Sequence, residues 1–471
     1  MVRKQRMIFF LIPVALVAMT GPFMSFGFWG IHGGNRPVQQ AILSADNNNT
    51  VSTNSNISTG AYNDPFQVLP DPNPPRILDG SLRVEKVIAG LKSPTSMAFS
   101  DHGDIVILEK DGPVRLVLNG VLQPNPIFNL VVRNESERGM LGVAIGKNTG
   151  TTKTVFLYYT EADGAQTKNR IYKYDWDGTG NISGGTLILD LPGEPGPNHN
   201  GGKIAIGPDG MLYAVIGDLN RNGMLQNHKD GPAPDDSSVL FRVDQDGKGV
   251  GNTLSVPGNT LLSQAGNLSK YYAYGIRNSF GFDFDPLTRT LWDVEDGPDD
   301  YDEMNVVQPG FNSGWDRIMG PLERKYPDGK SIDDLVQFEG SHYADPVFSW
   351  RVSQGITDIE ILDSTRLGER FAGNIFAGDI NNGNLYFFTV NGNRTGLALS
   401  SIAGLQDLVA DNAQEMNAIT FGTGFGGITD IETGPDGYLY ILTFTGNLYR
   451  LVPGTTTTST TATATATSNV Q

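Results

Sequence analysis

GGKIAIGPDGMLYAVIGD, residues Gly201 to Asp218, is the stretch that decides the fold. Apolar residues alternate on either side of a Pro-Asp-Gly turn, the pattern of two half-buried strands joined as a β-hairpin. The pattern returns in GGITDIETGPDGYLYILTF, Gly426 to Phe444. Looser copies begin at Pro94 (PTSMAFSDHGDIVILEK), Gly139 (GMLGVAIGKNTGTTKTVFLYYTE), Ser279 (SFGFDFDPLTRTLWDVEDG) and Gly355 (GITDIEILDSTRLGERFAGNIFAGD). A lone hairpin is marginal in water, so several must pack side by side. Hairpins recurring at intervals of roughly 40 to 80 residues read as blades with insertions. The expectation is an all-β, six-bladed β-propeller, with a β-sandwich built on similar turns as the competing arrangement. The last strand, Asn447 to Val452, is expected to pair with Leu82 to Ile88 and close the ring, which would remove exposed edges.

Composition agrees with a turn-rich β protein. The 471 residues include 58 Gly and 27 Pro, and no long run carries a clean helical period. The charge is 34 minus 51, or −17, which disfavours a nucleic-acid partner because phosphate backbones call for Lys and Arg patches. With no cysteine, disulfides, thiolate metal sites and a catalytic Cys are excluded. The five histidines are His32, His102, His199, His228 and His342, and no two have HExxH spacing.

The ends divide the chain. Arg3, Lys4 and Arg6 precede an uncharged stretch from Met7 to Gly30, so residues 1–30 are expected to be a signal peptide or a membrane anchor, with the rest of the chain extracytoplasmic. Residues 31–69 include the polar run NNNTVSTNSNISTG and read as a flexible linker; the folded body is expected over 70–454, and the Thr/Ala-rich 455–471 reads as a disordered tail.

Two segments carry chemistry. One is PNHNGG, Pro197 to Gly202, which puts a histidine directly before a hairpin. The other is YGIRNSFGFDFDPLTRTLWDVEDGPDDYDEMNVVQPGFNSGW, Tyr274 to Trp315: an Arg-Asn pair, a strand, an acidic Gly-Pro loop and a Gly-Trp turn. Histidine is suited to taking a proton near neutral pH, and oxygen-rich loops suit a hard cation such as calcium. A structural histidine and a solvated acidic loop without metal are the competing readings.

Together these segments resemble the soluble quinoprotein glucose/sorbosone dehydrogenases, six-bladed propellers that use calcium and pyrroloquinoline quinone (PQQ) to oxidise aldoses and pass the electrons to an external acceptor. The resemblance makes His199 the general base and places an orienting residue one position earlier, where Asn198 stands. Arg277 and Asn278 match the Arg-Asn of the GxRNxxG motif, with Arg277 stabilising the reduced quinone. Glu137 falls at a polar position facing the site. Gly297 and Pro298 correspond to the carbonyls that ligate the cofactor's calcium, Glu303 and Ser313 to ligands of a second, structural calcium.

The resemblance also has a gap. PQQ carries three carboxylates, and relatives meet them with a Lys and two Arg. The matching positions here are Asn381, Gly427 and Thr429. Three functions stay open: a calcium- and PQQ-dependent sugar dehydrogenase; a non-enzymatic extracellular propeller that binds carbohydrate or a protein partner; and, behind these, a hydrolase or lactonase on the same kind of propeller. The sugar, the acceptor and the oligomeric state are not encoded in any readable motif.

Overall fold

The computed structural model describes residues 64–149, 152–251, 268–326 and 329–454. The expected signal or anchor, most of the linker and the Thr/Ala tail lie outside these residues. Among the described residues no helix is long and apolar enough to cross a membrane.

Among the described residues strands dominate, in six sheets of four to six strands each. Their leading strands are Pro94–Phe99, Met140–Thr149, Ile204–Ile206, Gly281–Phe284, Ile356–Ile361 and Ile428–Thr433. Each begins one of the six hairpins read from the sequence. The leading strands also touch one another in order. Met97 N–H donates to Asp430 at 2.6 Å, Val143 N–H to Ser96 Oγ at 3.3 Å, Ile361 N–H to Asp283 at 2.8 Å, and Ile431 N–H to Asp358 at 2.7 Å. Phe280, just ahead of the fourth leading strand, lies against Gly202, just ahead of the third. The arrangement is all-β and propeller-like, with the leading strands around a common centre.

The Pro-Asp-Gly turns have a physical reason. Gly210 and Gly437 adopt φ of 78° and 80°, a region open to glycine at little cost. The Asp of each turn accepts the N–H two residues on and a tyrosine hydroxyl from the next strand: Asp209 from Met211 and Tyr213, Asp436 from Tyr438 and Tyr440. Apolar faces then pack between neighbouring sheets. Phe156, Tyr158 and Leu191 meet Ile204 and Phe241 in one such layer; Trp292 and Trp350, both fully buried, meet Ile359 and Phe388 in another.

Closure is found where it was expected. Leu82–Ile88 runs antiparallel to Asn447–Pro453, with Val84 opposite Leu451. Arg450 braces the seam through Glu85 (2.8 Å) and two bonds to Asp64 (2.8 and 2.6 Å). The body therefore engages residues at the end of the stretch read as linker: Phe66 is buried, and Leu69 bridges to Lys86.

Candidate active site

His199 sits on the turn that enters the third sheet, with φ of 61°, a conformation that costs a non-glycine residue about 1–3 kcal/mol and has to be held by its surroundings. The hold is visible. Asn200, next along, donates to Pro197 O at 2.6 Å and accepts from Asn169 at 2.9 Å, while its carbonyl takes the Tyr158 hydroxyl at 2.9 Å. The His199 N–H donates to Glu137 at 2.6 Å. Gly217 lies where any Cβ would strike Arg277 O and His199 O, so the end of the neighbouring strand can pass between those two segments only as glycine.

The imidazole Nδ1 is 2.6 Å from Asp218 Oδ1, and both side chains are buried. Asp218 is fixed in turn. Its Oδ2 accepts the Trp315 indole N–H at 2.6 Å, its Oδ1 accepts Asn220 N–H at 2.7 Å, and its own N–H donates to Arg277 O at 2.8 Å. A carboxylate at Nδ1 sets the tautomer with Nε2 as acceptor and supports the imidazolium once Nε2 is protonated. Asn198, expected to orient the base, does not do so: its side chain accepts from Ser136 at 2.5 Å. The loop bends at His199 and sends Asn198 the other way. The orienter is Asp218, which the sequence reading missed. The only signal for it was its place as the final residue of the hairpin copy Gly201 to Asp218.

Arg277 and Asn278 stand next to this pair. Arg277 donates from Nη1 to Asp296 O at 2.8 Å, and its guanidinium lies 5.3 Å from the Trp315 ring centre. Asn278 donates to Glu137 at 3.1 Å. Glu137 thus joins the His199 turn to the Arg-Asn pair, and three expected residues come together with His199. Arg277 Nε, Asn278 Oδ1 and Asp296 Oδ1 are buried without a hydrogen-bond partner among the described residues. Buried polar atoms of that kind are normally satisfied, so this region has the chemistry of a site awaiting a polar ligand. Burial, with Asp302 and Glu137 nearby, pushes the Asp296 carboxyl well above its ordinary range.

The acidic loop is built on the fourth sheet. Gly297 N–H donates to Asp302 at 2.9 Å. Glu303 lies directly opposite Glu295 across an antiparallel pair, and Ser313 Oγ donates to Glu295 at 2.6 Å. Asp293, two residues before Glu295, keeps both carboxylate oxygens buried and unpaired. Burial is the first cause that raises Asp293 and Glu303 far above the carboxylate range and takes Glu295 to about 7. Three carboxylates in one apolar interior favour protons or a cation. Glu303 and Ser313 are therefore brought together as expected, through Glu295, which the sequence reading left out along with Asp293. The described residues hold no group of three such side chains already converged on a metal position.

Asn381 and Thr429 stand apart. Asn381 is exposed, on the turn that wraps Asp379, with its amide against Gly355. Thr429 donates to Leu442 O at 3.4 Å. No hydrogen bond among the described residues ties either to His199, Arg277 or Asn278.

Known proteins resemble this chain in sequence and fold. The aldose sugar dehydrogenase YliI of Escherichia coli K12 is 24% identical over 385 residues, 79% of this chain and 93% of that protein. A putative oxidoreductase (glucose dehydrogenase) of Thermus thermophilus matches with a TM-score of 0.60 and 25% identity, over 79% of this chain and 100% of that one. The PQQ-bound aldose sugar dehydrogenase of Streptomyces coelicolor shares the fold, with a TM-score of 0.56 and 22% identity over 80% of this chain and 99% of that one. The family model for glucose/sorbosone dehydrogenases matches residues 91–450, a span that holds every residue of the His199 and Arg277 cluster and all but the outermost strands of the closed ring. The chain belongs to the glucose/sorbosone dehydrogenase family.

Proposed function

We propose that this protein is an exported oxidoreductase that oxidises aldose sugars at C1, and that its six sheets are the blades of a six-bladed propeller with His199 at the mouth. The observation that carries this reading is the His199–Asp218 pair set beside Arg277 and Asn278. Among the described residues Nε2 of His199 has no hydrogen-bond partner, so it is the nitrogen available to a substrate hydroxyl. In this reading Nε2 takes the proton of the C1 hydroxyl as C1 gives up hydride and the sugar becomes a lactone. Asp218 keeps the ring in the accepting tautomer and stabilises the imidazolium, a general-base contribution of about 10²–10⁴-fold.

When bound, PQQ supplies a two-electron acceptor for that hydride, with an external acceptor taking the electrons onward. Arg277 and Asn278, with buried Nε and Oδ1 unsatisfied, fit the quinone end of such a cofactor. Gly297 and Pro298 would offer carbonyls to its calcium, and Glu303 with Glu295 would hold a second ion. The carboxylate end finds neutral groups, since Asn381 and Thr429 carry no charge and Gly427 has no side chain. That feature favours a second reading, an extracellular propeller that binds carbohydrate or a protein partner without a cofactor. The N-terminal segment would anchor either form to a membrane or be removed on secretion.

Titration of the protein with PQQ in excess calcium, with dye reduction across a panel of aldoses, separates the two. Saturable binding with sugar-dependent turnover that is lost in His199→Ala supports the dehydrogenase. Absence of binding at large PQQ excess supports the cofactor-free propeller.

A further inference from the structure

A cleft of about 710 Å³ is lined by the loop that follows Asp218 and by residues after Trp315. Its size falls within the range of small-molecule sites, roughly 300–1,000 Å³. Hydrogen bonds connect it to the candidate active site. Asn227, in its lining, donates to Trp315 O at 2.8 Å, and the Trp315 indole donates to Asp218, the partner of His199.

Its charge runs against the rest of the chain. The lining carries Lys229, Arg317 and Lys330 against Asp230 and Asp334, in a protein of net charge −17. Neither lysine has a carboxylate partner among the described residues. Lys229 Nζ donates to Asp333 O at 2.5 Å and Lys330 Nζ to Arg317 O, so each ammonium keeps donors to spare. Arg317 is 3.8 Å from Asp316, a carboxylate already 2.9 Å from His228 Nε2. Of the two lining acids, Asp334 accepts Ser331 N–H at 2.8 Å in a helix cap, and Asp230 is exposed. Burial lowers the Lys330 ammonium from its usual range, with Lys325 and Arg317 adding to the effect and Asp316 and Asp334 opposing it.

We propose that this cleft is an oxyanion subsite for an acidic saccharide, in which Lys229 and Lys330 hold a carboxylate or phosphate on a sugar unit beyond the one presented to His199. Ammonium groups around an oxyanion form short, strong hydrogen bonds, and the hydrogen bonds from Asn227 to Trp315 and from Trp315 to Asp218 link the cleft to the His199 pair. The proposal rests on the dehydrogenase reading only for the position of the reacting end; the anion site itself does not depend on it.

Calorimetric titration of the full chain, with neither PQQ nor electron acceptor present, tests it directly. The probes are digalacturonate, a neutral disaccharide such as cellobiose, cellobiose phosphorylated on its non-reducing unit, and inorganic phosphate. Digalacturonate or the phosphorylated cellobiose is expected to bind at least about tenfold more tightly than cellobiose, to weaken with added salt, and to lose that advantage in Lys229→Gln/Lys330→Gln. Preference for digalacturonate assigns a carboxylate, and preference for the phosphorylated cellobiose a phosphate. Equal affinity for charged and neutral sugars, an unchanged preference in the folded double variant, or binding of inorganic phosphate with no sugar preference would overturn the proposal. Turnover assays with the same sugars keep the two readings apart. Oxidation of glucose without anion preference sinks the subsite alone, whereas tight digalacturonate binding without any oxidation sinks the dehydrogenase alone.

Discussion

The imidazole of His199 faces a carboxylate that lies just past the end of the strand Leu212–Ile216: its Nδ1 is 2.6 Å from Asp218 Oδ1, and the other oxygen of Asp218 is held by Trp315 at 2.6 Å. The pair is buried, so the ring cannot satisfy Nδ1 with water, and its tautomer follows the carboxylate. Asp218→Asn keeps the shape but lets the amide donate to Nδ1, which moves the ring proton to Nε2 and removes the acceptor. The expected result is a fall in kcat for aldose oxidation of about 10²-fold or more, with little change in KM or fold. Activity within a few-fold of the parent would remove Asp218 from the mechanism.

How much of this was legible in the sequence follows from what each feature depends on. The hairpins could be read because alternation and Pro-Asp-Gly turns are local, and the closing strand because Leu82 and Leu451 lie in segments with the same alternation. His199, Arg277 and Asn278 were found because they sit inside compact motifs. Asp218 was missed because its partner is 19 residues away and only the fold brings them together. Asp293 and Glu295 were missed for a related reason. Along the chain they are two acids among many, and only burial on the face opposite Glu303 makes them unusual. Asn198 misled because adjacency along the chain says nothing about direction after a residue with φ of 61°.

Burial of carboxyl groups gives the fold a pH dependence with a definite sign. Asp283 and Asp379 are raised to about 6, and Glu295 and Glu432 to about 7, each chiefly by desolvation. In the unfolded chain they release protons near pH 4; in the folded chain they keep them longer. Their stabilising contribution is therefore complete below about pH 4 and is lost as pH rises through 6 to 7. Urea unfolding in a chelating buffer is expected to show stability falling from pH 4.5 to pH 8, by about 1.4 kcal/mol per pH unit for each proton retained. A flat or rising profile over that range would contradict these assignments.

Lys203, just ahead of the strand Ile204–Ile206, ties three leading strands together. Its Nζ reaches Asp430 at 2.8 Å, Glu432 at 2.9 Å and Asp358 at 3.1 Å, which come from two different leading strands. Desolvation opposes its charge, but the surrounding carboxylates outweigh it and hold the ammonium well above its usual range. Lys203→Met leaves those acids without a counter-ion. The expected loss is about 3–5 kcal/mol at pH 8. At pH 5 the loss should shrink, because Glu432, raised to about 7, then carries a proton in either variant. Chemical denaturation at both pH values checks it, and an equal loss at the two would show that packing rather than charge is what Lys203 supplies.

Calcium should act on the same fold through the fourth sheet. Glu295 and Glu303 face each other across paired strands, and Asp293 has both oxygens buried and unpaired. Removing a cation from such a group forces protonation or buried repulsion, so the effect of calcium should grow with pH as the carboxyls would otherwise ionise. At pH 8, calcium at about a hundred times its Kd is expected to raise stability by about 2.7 kcal/mol, and at pH 5 by much less. Asp293→Asn with Glu303→Gln should abolish the response while leaving a folded protein, since the neutral amides keep the volume. Thermal unfolding with calcium, magnesium and a chelator reads the outcome. No difference between calcium and chelator at pH 8, or a response undiminished in the double variant, would take the ion away from this position.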